Sequence, residues 1–154
     1  MVRGLAPVGL VGLDDALETL ALSVRHLFRK AVTFQCDRPV LQPNPKAAAH
    51  LVRIAQEAVN NAITHGKPDR IEISLSSMDG KGVVTVRDNG VGIPDAACNA
   101  GGIGLHTMAY RARSIGASLE VRRRTRRGTL VTCAFPLSET LDTRDKPDHE
   151  RSNG

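Results

Sequence analysis

Tryptophan is absent from this chain, tyrosine occurs once, at Tyr110, and phenylalanine only three times. A core cannot then be built around large rings, and Val, Ile, Leu and Ala must supply the buried surface. Cysteine is scarce as well. Cys36, Cys98 and Cys133 are odd in number and widely spaced, with no CxxC pair, which argues against a disulfide framework and a zinc site and favours a reducing compartment. No apolar run approaches the ~18 residues of a membrane span, and residues 1–13 lack the apolar stretch of a secretory leader. Also missing are a Walker A glycine loop and a Ser, His, Asp set at recognisable spacing, so those nucleotide and hydrolase classes lose weight.

What is present fits one globular domain: 154 residues, 41% hydrophobic and 24% charged. The net charge of +5 permits nucleic-acid or anionic-lipid binding, and Arg111, Arg113, Arg122, Arg123, Arg124, Arg126 and Arg127 concentrate it late in the chain. No aromatic residues interleave with that basic run to stack bases.

Periodicity predicts the elements. Residues 14–29 carry Leu17, Leu20, Ala21, Val24, Leu27 and Phe28 at helical spacing, with Asp14 as the cap. A short strand follows over 32–36. Asn44 before Pro45 starts a second helix, predicted to run to His65, where Gly66 caps it and Pro68 forbids continuation. Residues 70–76 alternate Ile71, Ile73 and Leu75 with polar partners, and Asp79-Gly80 turns into a strand over 83–87. Residues 94–101 read as a loop able to close as a lid, 102–115 as a helix with Leu105, Met108, Ala109 and Ala112 on one face, and 118–124 and 129–135 as two last strands. The order predicts an α/β two-layer sandwich, a mixed sheet covered on one face by helices. Residues 1–12 read as the remnant of an upstream hairpin or linker, 13–137 as the domain, and 138–154 as a polar tail without apolar periodicity.

Three groups of residues carry chemistry. On the second helix, Leu51, Ile54, Ala55, Ala58 and Ala62 form the buried stripe, which leaves Glu57, Asn61 and His65 aligned on another face. An amide oxygen such as that of Asn61 suits magnesium without repelling a triphosphate, and Glu57 suits a metal-bound water or a polarised nucleophile. Taken alone, such a stripe is more often a solvated helix face. Asp88 ends a strand predicted to be interior. Its ionised carboxylate only accepts hydrogen bonds, which matches the exocyclic amino group of adenine and opposes the guanine carbonyl. Gly90 and Gly92 allow backbone to pass close to a ring, although Asp-Asn-Gly is also simply a favourable turn. Gly101, Gly102 and Gly104 open a helix whose free N–H groups suit phosphate.

With these residues in this order, the chain resembles the ATP-binding catalytic domain of bacterial sensor histidine kinases, within the superfamily that includes gyrase, Hsp90 and MutL. The likeness is greatest to the nitrate-sensor and lipid-fluidity-sensor subfamily. Gln56-Glu-Ala-Val-Asn-Asn-Ala-Ile-Thr-His-Gly66 resembles the family's N box and Asp88-Asn-Gly-Val-Gly-Ile93 its first glycine box. Gly102-Ile-Gly-Leu-His-Thr-Met-Ala-Tyr-Arg-Ala112 is similar to the second glycine box, and Gly128-Thr-Leu-Val131 to the closing strand. The resemblance implies a Bergerat-type sandwich that binds ATP and Mg2+. It implies Asn61 as metal ligand, Glu57 as its catalytic support, Asp88 and Thr129 around adenine, and Gly90, Gly92, Gly102, Gly104, Leu105 and His65 about the nucleotide. Thr64 and Ala109-Tyr110 depart from the family pattern, where polar or basic residues are common.

The implied activity is transfer of the ATP γ-phosphate to a histidine on a dimerisation hairpin of the same kinase, for relay to a response regulator. The fragment alone is not expected to autophosphorylate. It is expected in the cytoplasm, without direct contact to nucleic acid or membrane, although its parent is free to carry an anchor. Two alternatives share parts of this pattern: an anti-sigma-factor-type serine kinase, and a basic module that binds nucleic acid through residues 122–127.

Overall fold

The computed structural model describes residues 12–37, 44–92 and 104–137. In chain order these form α1 (Leu13–Phe28), β1 (Ala31–Cys36), α2 (Pro45–Asn61), a π-helical turn (Ala62–Gly66), β2 (Arg70–Met78), β3 (Lys81–Asp88), α3 (Leu105–Ser114), β4 (Ser118–Arg123) and β5 (Thr129–Pro136). The sheet order is β1-β2-β3-β5-β4. Only β1 and β2 run parallel, with α2 as the crossover; the other pairs are antiparallel. The predicted mixed sheet with helices on one face is the observed architecture.

Apolar alternation sets which face the helices cover. Ile71, Ile73 and Leu75 of β2, Val84 and Val86 of β3, and Val131, Cys133 and Phe135 of β5 are buried. They meet Leu17, Ala21 and Val24 of α1, Leu51, Ile54, Ala55 and Ala58 of α2, and Met108 and Ala112 of α3 in one cluster. Full burial of each large aliphatic side chain contributes about 1.5–3 kcal/mol. The opposite sheet face is polar, with Arg87 of β3 reaching Glu72 of β2 at 3.0 Å. Asp79 and Gly80 adopt φ of 53° and 78°, a mirror-image turn whose twist suits the hairpin. Just past that turn, Gly82 of β3 lies opposite Phe135, whose ring occupies the space where a Cβ would stand.

Helix boundaries hold two corrections. Asn44 caps α2 as predicted, its Oδ1 accepting from the Ala47 N–H at 2.8 Å. The cap of α1, however, falls on Gly12, and Asp14 sits with Asp15 in the first turn, where negative charge faces the positive helix end. The second helix does not run regularly to His65. It gives way at Ala62 to the π turn, and Lys67, at φ 47°, supplies the left-handed residue expected of Gly66. Gly66 is needed elsewhere. Its carbonyl accepts from the Val91 N–H at 2.9 Å, and the widened turn carries it there.

The first twelve residues apart from Gly12, the tail 138–154 and the segment 93–103, with its predicted lid and Gly102, lie outside the described residues.

Candidate functional site

Period-two geometry places Asp88. It lies two residues beyond Val86, in the same phase as Val84 and Val86, so its carboxylate turns to the helix-covered side of the central strand. Only 5% of the residue is exposed, and it is the one buried charged residue among those described. Its Oδ1 accepts from the Gly90 N–H at 2.7 Å, and the Thr129 N–H donates to the same carboxylate. Burial nevertheless raises its pKa above the ordinary carboxylate value, with the two backbone donors and the Arg124 charge opposing that shift. An ionised carboxylate offers about four lone-pair sites, so capacity remains for a donor arriving from the cavity.

The cavity in front of Asp88 holds about 440 Å3 of empty space, part of it open to solvent. Its walls are apolar, from Ala58, Val86, Met108, Val121 and Val131, and it gathers Asn61, His65, Asp88, Gly92, Leu105 and Thr129 from four separate motifs. Six sequence-predicted residues thus meet on one surface. The apolar wall from Val121 and Met108 was not singled out in the sequence, because a valine on a strand and a methionine on a helix read as ordinary core.

Gly90, Glu57 and Gly104, also predicted, are not among the residues that line the cavity. Gly90 packs against the π turn, where an added Cβ would overlap the Gly66 carbonyl. Its glycine identity therefore serves to bring the end of α2 against the Asp88 loop. Glu57 reaches the N-terminus of α3: a Cβ on Gly104 would collide with its Oε2, and Gly104 holds φ of 74°. Glu57 of α2 and Gly104 of the second glycine box are thus in physical contact. Asn89, read only as part of a turn, uses its Oδ1 to accept from the N–H groups of Asp69 and Arg70 at 2.9 and 3.0 Å, which anchors the loop to the start of β2.

The arginine run is not one solvated turn. Arg124 donates to the Asp88 carbonyl at 2.7 Å and Arg127 to the Asn89 carbonyl at 3.1 Å. No sequence signal separates these two from Arg122, Arg123 and Arg126. Among the described residues, no group of three or more His, Cys, Asp or Glu side chains gathers to hold a metal. No described helix is long and apolar enough to cross a membrane.

A buried acceptor, an apolar slot and glycines at the mouths of two helical segments define a nucleotide-type pocket on a two-layer sandwich. The family described as histidine kinase-, DNA gyrase B-, and HSP90-like ATPase matches residues 46–139, which is more than half of the sequence, and the chain belongs to that family. Among individual proteins it is 35% identical over 125 residues to a sensor protein NarQ homolog of Haemophilus influenzae, covering 80% of this chain and 22% of that protein. It is 31% identical over 139 residues to the nitrate/nitrite sensor protein NarX of Escherichia coli, covering 90% and 23%. The chain therefore spans less than a quarter of these relatives. Its fold overlays the histidine kinase domain of a blue-light activated histidine kinase from Erythrobacter litoralis with a TM-score of 0.71 at 27% identity, covering 84% of this chain and 63% of that one. The ATP binding domain of PrrB from Mycobacterium tuberculosis shares the fold at a TM-score of 0.70 and 20% identity, covering 84% and 96%.

Proposed function

We propose that this chain is the catalytic ATP-binding domain of a sensor histidine kinase, donating the γ-phosphate of ATP to a histidine on the dimerisation hairpin of the same kinase, for relay to a response regulator. The observation that carries this reading is the Asp88 carboxylate, buried at the end of the central strand with spare acceptor capacity facing an apolar slot. Such a group receives the amino group of adenine and repels the guanine carbonyl. Thr129, Gly92, Leu105 and His65 line the same cavity, which supports the roles proposed for them around the nucleotide.

Phosphoryl transfer asks the protein mainly for positioning and charge neutralisation. The residues present fit a magnesium ion that arrives on the triphosphate. Asn61 lines the pocket with a side chain that carries an amide oxygen, and magnesium usually takes only one or two protein ligands beside phosphates and water. Bound there, the ion neutralises phosphate charge. Glu57, one helical turn before Asn61 and against Gly104, is the residue that would accept from a metal-bound water or a polarised nucleophile. Gly104 opens α3 so that its first N–H groups are available to phosphate oxygens. This reading puts the domain in the cytoplasm.

Calorimetric titration tests the nucleotide half. ATP with magnesium should bind and GTP should not, and Asp88→Asn should cost about 1–3 kcal/mol of binding. Unchanged affinity in that variant rejects the adenine assignment. For the transfer half, the domain is mixed with its hairpin and radiolabelled ATP. Acid-labile label is the expected result, and acid-stable label would favour a serine kinase.

A further inference from the structure

We propose that Arg124 is a positioning residue for base recognition: its guanidinium replaces the missing rung of the sheet beside Asp88 and so fixes the carboxylate that reads the nucleotide. The inference rests on the adenine reading of Asp88 and deepens it.

The register carries the argument. The β3–β5 ladder ends at Arg87 paired with Leu130, and one step further Asp88 stands opposite Thr129. In a continued ladder the Thr129 N–H would serve the Asp88 backbone. Instead it donates to the Asp88 carboxylate. The Asp88 carbonyl is taken by Arg124 Nη1 at 2.7 Å, in a half-buried contact. One backbone donor is thereby released to the side chain, and one side-chain donor substitutes for it on the backbone.

The turn that delivers Arg124 is built for this exchange. The Arg124 N–H donates to the Gly128 carbonyl at 2.8 Å, which closes the turn on itself. Gly128 has φ of 97°, and a Cβ there would overlap the Asp88 carbonyl. Only glycine lets the turn lie that close. Arg127 adds a second tie, donating to the Asn89 carbonyl at 3.1 Å. Arg124 also places a positive charge near the carboxylate that burial disfavours, which helps keep it ionised. Neighbouring Arg126 is exposed and offers the same charge without either bond to the 88–89 backbone, so it serves as the control.

The test is ATP binding by calorimetry across pH for the full chain and for Arg124→Gln, Arg124→Lys and Arg126→Gln, with a 13C titration of the Asp88 carboxyl in the unliganded protein. Arg124→Gln should weaken ATP binding about tenfold, the scale of one lost charge-assisted hydrogen bond. It should also move the acidic limb of the affinity profile, and the Asp88 titration, to higher pH. Arg126→Gln should do neither. Wild-type affinity with an unmoved limb in Arg124→Gln overturns the proposal. Should that variant not fold, Arg124→Lys decides: a several-fold loss with the limb in place is expected, because the charge stays and the fork geometry goes, and wild-type affinity overturns it. A wild-type protein that binds no ATP breaks the adenine reading itself; the Asp88 titration then still judges the Arg124 coupling, supporting it by a shift and rejecting it by none.

Discussion

The two ends of the pocket are built differently. Around Asp88, backbone meets backbone: Gly66 touches Gly90, Gly128 lies against the Asp88 carbonyl, and Asn89, Arg124 and Arg127 tie the loop to β2 and to the β4–β5 turn. Around Asn61 and Glu57, by contrast, helices meet through side chains, with Glu57 against Gly104 and Arg111 Nη1 lying 3.3 Å from His50 Nδ1 between α3 and α2. Backbone contacts leave little room for adjustment, whereas side-chain contacts between helices can shift by rotamer. On the proposed reading, a flat base with one hydrogen-bonding edge needs the first kind of construction. A flexible, charged triphosphate tolerates the second.

Glycine substitutions break that comparison most severely. Gly128→Ala must strain a backbone at φ 97° and displace the Asp88 carbonyl, so a loss of about 3 kcal/mol or more in urea unfolding is expected. Gly80→Ala, at φ 78° with open space around it, should cost only about 1 kcal/mol, the left-handed penalty alone. Equal costs at the two sites would mean that the backbone clasp around Asp88 is not tight. At the helical end, Gly104→Ala should fall between them, about 2 kcal/mol, because the flexible Glu57 side chain can move away from the new methyl group.

Charge sharpens the same contrast through pH. The Asp88 pKa is raised in the folded protein, so folding keeps a proton that the unfolded chain has already released. Stability should therefore fall as pH rises from the ordinary carboxylate value through the folded one, and Asp88→Asn should flatten that fall while weakening ATP binding. Urea midpoints across acidic pH, wild type against variant, measure it; a parallel pair of curves would remove the desolvation argument. The smallest effect belongs to the helical end. Burial, then Arg111 and then Lys46 lower the His50 pKa. Its stabilising contribution is complete above the ordinary histidine value of 6.5 and is lost as pH drops from there toward the folded value. His50→Gln should abolish that decline, and midpoints between neutral and mildly acidic pH would report it.

Much of this was legible in the chain because the signals are local. Asn44 before Pro45, the positive-φ pair Asp79 and Gly80, and the alternation through Val84, Val86 and Asp88 each follow from a few neighbouring residues. The errors arose where a residue answers to something distant. Gly66 looked like a helix cap because glycine after a helix usually is one; its carbonyl is instead held by Val91, and Lys67 takes the left-handed conformation. Gly90 looked like a pocket wall, and its partner is the π turn. Arg124 and Arg127 were indistinguishable from their neighbours because a run of like side chains carries no mark of which members a turn points inward.

By itself, the order of residues determined the helices and strands, the helix-covered face of the sheet and the phase that buries Asp88, since all of these depend on spacing along one segment. Only the tertiary structure decided which glycines are contact points, which arginines are bound, and how Thr129 comes to serve a carboxylate rather than a ladder. Those outcomes depend on where separate segments meet, which spacing along one segment does not encode.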